Sequence, residues 1–447
     1  MKIVIAGAGE VGSHLGKLLS REEQDIVMID RDRDKLDRLD ANYNLMTHVG
    51  SPTSFTDLKN AGIDTRCDLF IAVTPYENTN ITSCAIAKSL GARKTVARID
   101  NYEFLDPRNR GFFASIGVDH LIYPEYLAAQ EICTALKRPW VRHWFELHDG
   151  KLILIGVRVR SDAELVGRKL RDITYNQHNY HVSAIKRRHE TIIPRGDDEI
   201  LANDIVYFTT TKEYVDEIRR LCGKKDYRIR DVMIMGGGRI AVRLAHMASE
   251  QWRLTIIDDN AETCRRLPEK CTGCDVRIIH GDARNNDFLR DEGIDHMDAF
   301  VALTDYSETN ILACLTAKEF GVSKSIAEVE NIQFISEAEG LNIGTIINKK
   351  LLASSKIFQL LIAADESSST FMALADAEVA EIEAREGSKI TRAPVMDLKL
   401  SRDMTLAGLI RDGNGMLVEG RTQIQPGDHV LVFCLAGSVH KAEKLFV

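Results

Sequence analysis

The chain opens on Lys2-Ile3-Val4-Ile5-Ala6, a β-branched run without a polar break, as expected of a parallel strand buried on both faces. After the glycines that follow, Val11, Leu15, Leu18 and Leu19 recur at helical spacing. A strand at Asp25 to Asp30, a helix through Lys35 to Leu39 and strands at Met46 to Val49 and Leu69 to Val73 come next. This alternation predicts βαβ units with right-handed crossovers and a doubly wound parallel sheet. Ligands of such sheets sit at the carboxyl ends of the strands, where the strand order reverses.

The pattern then returns. GAGEVGSHLG at Gly7 to Gly16 is answered by GGGRIAVRLA at Gly236 to Ala245, where Ile240, Leu244 and Met247 again keep helical spacing. Cys67 to Asn80 (CDLFIAVTPYENTN) aligns with Met297 to Asn310 (MDAFVALTDYSETN), and Ala97 to Asn101 with Ala327 to Asn331, at a shared offset of about 230 residues. Ile193 to Phe208 and Val418 to Phe433 both read strand, polar turn, strand. Four domains are expected: two Rossmann-like domains at 1–140 and 228–370, each followed by a small α+β domain, at 141–227 and 371–447.

Composition narrows the function. A length of 447 residues fits roughly three to four domains of common size. The net charge of -8 and pI near 6.0 supply no basic footprint, so nucleic acid is not an expected partner. The longest apolar run, such as His429 to Phe433, is strand-sized, so no direct insertion into a bilayer is expected. Gly7, Gly9 and Glu10 cut the N-terminal run too short for a secretory signal, and nine scattered cysteines point to reduced thiols in a cytoplasm.

A single GxGxxG is weak evidence, but here it follows a strand, opens a helix and is followed at a strand end by an acid, twice in one chain. Gly7 permits the tight turn, Gly9 admits a pyrophosphate and Gly12 lets the helix pack on the strand; Gly236, Gly238 and Ala241 are the equivalents. Backbone N–H groups around Ala8, Gly9, Glu10 and Val11, and around Gly237, Arg239 and Ile240, would meet phosphates at a helix N-terminus. Asp30 and Asp258 are placed to take a ribose diol and repel a 2′-phosphate, favouring NAD(H) or adenosine nucleotides over NADP(H); their bland reading is a turn or cap residue. Arg31 and Arg33 argue the other way in the first copy, and Asp259 strengthens the preference in the second.

Gly50 and Ser51, with Gly281 and Asp282, are candidate walls for an adenosine or plain turn residues, as are Thr74 with Pro75, and Thr304. Arg98 either holds a terminal phosphate or forms a structural ion pair, and Glu328 stands at its place in the second copy. That reversal implies ATP for the first half and NAD(H) or ADP for the second. Cys264, Cys271, Cys274 and His280 have metal-like spacing but no counterpart in the first copy, and read as loop thiols. His143 and His148 around Trp144 read as packing or surface residues, and no nucleophile or catalytic set is visible, so no enzyme is expected. The stretches Pro124 to Leu136 and Lys349 to Leu361 have broad apolar faces suited to a core or to pairing with another subunit.

Tandem glycine-rich domains, the TPYENTN and TDYSETN segments and small β domains carrying Leu165-Val166-Gly167-Arg168-Lys169-Leu170 together resemble the TrkA family, whose paired domains are called RCK or KTN domains. The resemblance covers essentially the whole chain. It implies a nucleotide-responsive regulatory subunit of a Trk-type potassium uptake channel. The implied assembly is a homotetrameric ring on the cytoplasmic face of the inner membrane, docked on a TrkH-type membrane subunit, with NAD(H) and ATP/ADP as ligands. The family's binding positions fall on Gly7 to Val11, Asp30 and Arg98, and on Gly236 to Ile240 and Asp258. Ser51 departs from the family's usual aspartate, and Ala241 from its last glycine. The competing readings are an NAD-dependent oxidoreductase, which would need a proton-transferring group facing the cofactor, and a soluble nucleotide sensor without a channel.

Overall fold

The computed structural model describes the chain except for residues 21–23, 175–178, 189, 249–250, 363–370, 375–376 and 436–437. The first domain carries six strands: β1 (Lys2–Ala6), β2 (Asp25–Asp30), β3 (Met46–Val49), β4 (Leu69–Ala72), β5 (Lys94–Arg98) and β6 (His120–Ile122). They lie in the order β3-β2-β1-β4-β5-β6, and every pairing is parallel. Strand order reverses between β1 and β4, which opens a crevice beyond their carboxyl ends. The sequence explains the burial: Ile3, Ile5, Phe70 and Ile71 are fully buried because helices cover both faces of the sheet. Helix α1 (Glu10–Leu19) turns Val11, Leu15 and Leu19 onto that sheet.

The first small domain has β7 (His143–Leu147), β8 (Leu152–Arg158), β9 (Tyr180–Arg187), β10 (Glu190–Ile192) and β11 (Ile205–Thr210), all antiparallel, in the order β10-β9-β11-β8-β7. It is entered through α2 (Pro124–Lys137). The second Rossmann sheet comprises β12 (Asp231–Met235), β13 (Arg253–Asp258), β14 (Val276–His280), β15 (Ala299–Ala302), β16 (Lys324–Glu328) and β17 (Thr345–Ile347). Its order, β14-β13-β12-β15-β16-β17, repeats the first sheet strand for strand, again wholly parallel. Helix α3 (Arg239–Ala248) follows its glycine loop, and α4 (Lys349–Ile362) leaves the domain. The second small sheet, β18 (Phe371–Leu374), β19 (Ala377–Glu383), β20 (Met404–Arg411), β21 (Asn414–Leu417) and β22 (His429–Leu435), runs β18-β19-β22-β20-β21. Matched to its counterpart, that is the same topology, so the faint similarity of the small domains is a true repeat. The expected boundary near residue 370 lies outside the described residues.

Contacts divide the chain into two compact units, Met1–Ala129 with Asn348–Leu361, and Gln130–Ile347 with Ile362–Val447. Helix α4 therefore packs with the first Rossmann domain rather than with the domain it leaves. In the second unit, Leu152, Leu154 and Tyr207 of the first small sheet share one core with Val379, Leu431 and Phe433 of the second.

Candidate functional site

At the carboxyl edge of the first sheet, the chain leaves β1 through Gly7, whose φ of +109° only glycine takes without strain. A Cβ there would sit 3.0 Å from the Thr74 nitrogen. Gly12 is a close-approach glycine of another kind, because its Cβ would lie 1.9 Å from the Gly7 carbonyl oxygen. Gly9 differs from both. Its backbone is ordinary, at φ -73° and ψ -173°, and a Cβ added there would meet no protein atom within 4 Å. Protein packing thus gives no reason for glycine at position 9, whereas a ligand pressed against that backbone does. Gly238 stands in equally open space, and Gly236, at φ +103°, repeats the turn of Gly7.

Asp30, at the end of β2, accepts the Ala8 N–H on Oδ2 at 2.6 Å and the Asp32 N–H on Oδ1 at 2.9 Å. Asp258 repeats this with the Gly237 N–H at 2.7 Å and the Asn260 N–H at 2.9 Å. Each carboxylate therefore fixes the glycine loop to the neighbouring strand end and keeps lone pairs for a diol. The turn reading is thus observed for both carboxylates, and the lone pairs left over are the ones the ribose reading would use. Glu10 and Val11 open α1, and Glu10 is exposed and ion-paired with Lys350 of α4. Ala8 and Gly237 are buried in the two loops, and a Cβ at Gly237 would come within 2.7 Å of a Leu267 methyl. Arg239 is exposed, while Ile240 and Ala241 lie on the buried face of α3.

The remaining candidates line the same edges. Gly50 and Gly281 donate their N–H groups to the carbonyls of Asp30 and Asp258 at 2.9 and 3.0 Å. Arg31 donates to the Ser51 hydroxyl at 2.9 Å, and the Ser51 N–H is held by Asp57 at 2.8 Å, a bond that pulls the Asp57 carboxyl below its usual range. Asp282 instead accepts from Nε and Nη2 of Arg284, at 2.8 and 2.9 Å, which lowers its pKa. Arg98 ends β5 with Nη2 at 3.7 Å from Asp100, and its buried Nε has no hydrogen-bond partner. Glu328, at the same place in the second copy, is 3% exposed. Pro75 is exposed beside Thr74.

Two residues at these edges carry weight that the sequence pattern did not assign. Asn80, fully buried, accepts from the Thr74 N–H and hydroxyl at 2.9 and 2.7 Å and donates to the Thr74 and Arg98 carbonyls. Asn310 does the same for Thr304 and Glu328. These asparagines clamp the ends of adjacent strands. Their identity at equivalent places in the two repeated segments was the available signal.

The set-aside residues fall elsewhere. Cys274 is 3.4 Å from His246, Cys264 faces carbonyls of Asp258 and Ile279, and His280 meets the Asp259 carbonyl, so these groups share no centre; none of the nine cysteines is in a disulfide. His148 contacts Glu381 at 2.5 Å, with His429 at 3.1 Å from the same carboxylate. Burial pushes His143, stacked on Tyr207 and Phe145, down to about 3, and His181 down to about 4. Both rings must stay neutral when folded but can charge once unfolded, near pH 6.5. Stability is therefore expected to fall as pH drops below about 6.5, by about 1.4 kcal/mol per pH unit per histidine until the folded values are reached. Urea midpoints at pH 7.5 and 5.0 check this, and a His143→Phe, His181→Gln chain should show a shallower decline.

The fold defines a tandem pair of Rossmann-type domains, each with an open glycine loop at its switch point. The TrkA-N domain family matches residues 3–124 and 232–349, and the TrkA-C domain family matches residues 154–223 and 379–447. The chain belongs to the TrkA family. Among its relatives, the Trk system potassium uptake protein TrkA of Halomonas elongata is 30% identical, over 100% of this chain and 98% of that protein. A TrkA homolog of Archaeoglobus fulgidus is 29% identical over the full length of both. Among solved structures, the GsuK RCK domain superposes with a TM-score of 0.62 at 14% identity, covering 100% of this chain and 94% of that one. The GsuK channel bound to NAD gives 0.60, covering 100% and 78%. Among the described residues no helix is long and apolar enough to cross a membrane.

Proposed function

We propose that the chain is the nucleotide-responsive gating subunit of a Trk-type potassium uptake channel. The observation that carries this reading is the pair of open cradles, in which Gly9 and Gly238 leave the backbone bare beside a carboxylate fixed at the next strand end. The first site comprises Gly7 to Gly12, Asp30, Arg31, Gly50, Ser51, Thr74, Pro75 and Arg98. The second comprises Gly236 to Ala241, Asp258, Gly281, Asp282, Thr304 and Glu328. Domains divide at about 140, 227 and 370. NAD(H) and ATP/ADP are the ligands, and a ring of four chains passes their effect to a TrkH-type membrane subunit on the cytoplasmic face.

Gating needs no bond-breaking. A nucleotide that prefers one arrangement of domains by about 1–3 kcal/mol shifts the equilibrium of whatever is docked on them. Arg98 with its uncommitted Nε makes the first cradle the better site for a polyphosphate, and the buried Glu328 carboxyl makes the second the better site for NAD(H) or ADP. Detergent-solubilised membranes should yield the chain in complex with a potassium-channel-like subunit, and calorimetry should show tighter ATP binding in the first half, lost on Arg98→Ala. Absence of any such membrane partner, or NADH oxidation by a small oxoacid, would overturn the reading.

A further inference from the structure

Within the second unit, a cavity of about 570 Å³ opens at the amino-terminal edge of the second Rossmann sheet, the edge opposite its glycine cradle. Three parts of the chain wall it. Arg142, Arg158 and Arg160 come from the first small domain, Lys224 and Lys225 from the connection into β12, and Lys318 and Lys324 from the Rossmann domain, while Asp226 is the lone carboxylate in the lining. Among the described residues, Arg160 with Asp162 at 2.9 Å is the one ion pair these seven cations make. Glu339, whose charge acts on Arg142 and Arg158, has its carboxylate paired with Lys186 at 2.8 Å and gives its backbone carbonyl to Arg158.

Local bonds account for part of this charge. Lys324 donates to the Pro139 and Val141 carbonyls and the Thr345 hydroxyl, and Arg142 donates to Asn342 at 2.6 Å. These are neutral acceptors, so they place the cations without neutralising them. The Arg158 Nε is buried with no acceptor at all. The groups pay for their crowding: burial first, and then Arg142 and Lys224, hold Lys324 down to about 7 against a weak pull from Glu131. Burial first, and then Arg142, bring Lys224 to about 8 against an opposing pull from Cys222, with smaller pushes from Arg160 and Arg158. A cavity of this size ringed by unneutralised cations, with a donor left over, is complementary to concentrated negative charge.

We propose that this cavity binds a small, multiply phosphorylated anion, a ligand site separate from the two nucleotide cradles. Recognition there comes from side-chain cations rather than backbone N–H groups, so it selects phosphate charge and not a nucleoside. Bound charge would tie the first small domain to the second Rossmann domain and restore the proton affinity of Lys224 and Lys324.

The test is calorimetric titration of the full chain with inorganic triphosphate at pH 7.5, in two buffers of different ionisation heat. Binding should weaken at least tenfold in a Lys224→Ala, Lys225→Ala chain and in Arg158→Gln, should take up protons, and should weaken further with added salt. It should persist in a Gly9→Val, Gly238→Val chain, in which both cradles are filled. Thermal melts identify any variant that fails to fold, and the partly exposed Lys224 and exposed Lys225 make that pair the safe choice. No binding at millimolar triphosphate, equal affinity in the cation variants, or loss in the glycine variant would overturn the proposal.

Discussion

Gly9→Val is expected to abolish nucleotide binding at the first cradle while leaving the melting temperature unchanged. Valine suits the extended backbone at position 9, and its side chain enters space where no protein atom lies within 4 Å of the Cβ. The fold therefore meets no new clash. A pyrophosphate needs that same space to reach the N–H groups at the start of α1, and a branched side chain holds it off. An affinity loss of at least a hundredfold, about 2.7 kcal/mol, is the expected size. NADH and ATP titrations read it, with Gly238→Val doing the same for the second cradle. Gly12→Ala is the contrast: its Cβ would lie 1.9 Å from the Gly7 oxygen, so it should lower the melting temperature as well. If Gly9→Val binds normally, the open space is not a ligand's.

Much of this architecture is legible in the residues. Continuous apolar runs give the buried strands and 3.6-residue spacing gives the helices, and Lys2–Ala6, Asp25–Asp30 and Met46–Val49 fall where the sequence places them. Glycine spacing gives the turn because Gly7 and Gly236 need a positive φ that the sequence signals directly. The asparagine clamps stayed hidden, since Asn80 and Asn310 act through hydrogen bonds to strand ends 18 residues away, a separation that no local pattern reports. The basic cavity was equally invisible. Arg142, Arg158, Lys224 and Lys324 are scattered along the chain and meet only when a small domain and a sheet edge are packed together, while the overall charge of -8 pointed away from any cationic site.

The small domains carry the clearest case of a repeat that chemistry preserves where sequence similarity fades. Arg187 bonds Asp204 at 2.7 Å and the Glu199 carbonyl, and Arg411 bonds Asp428 at 2.6 Å and the Gln423 carbonyl. Each aspartate also caps a turn, accepting the N–H of Leu201 or of Gln425 at 2.8 Å. Asp204 and Asp428 are only 3% and 2% exposed, whereas the arginines reach solvent. The two partners are therefore unequal. Asp428→Ala removes the buried member and leaves Arg411 partly hydrated, at a cost of about 3 kcal/mol. Arg411→Leu leaves a carboxylate stranded in the interior and should cost more, about 3–5 kcal/mol. Urea midpoints of the two variants against the parent chain read the difference. Equal deficits for the two would mean that Asp428 is held by its turn hydrogen bonds and not by the arginine.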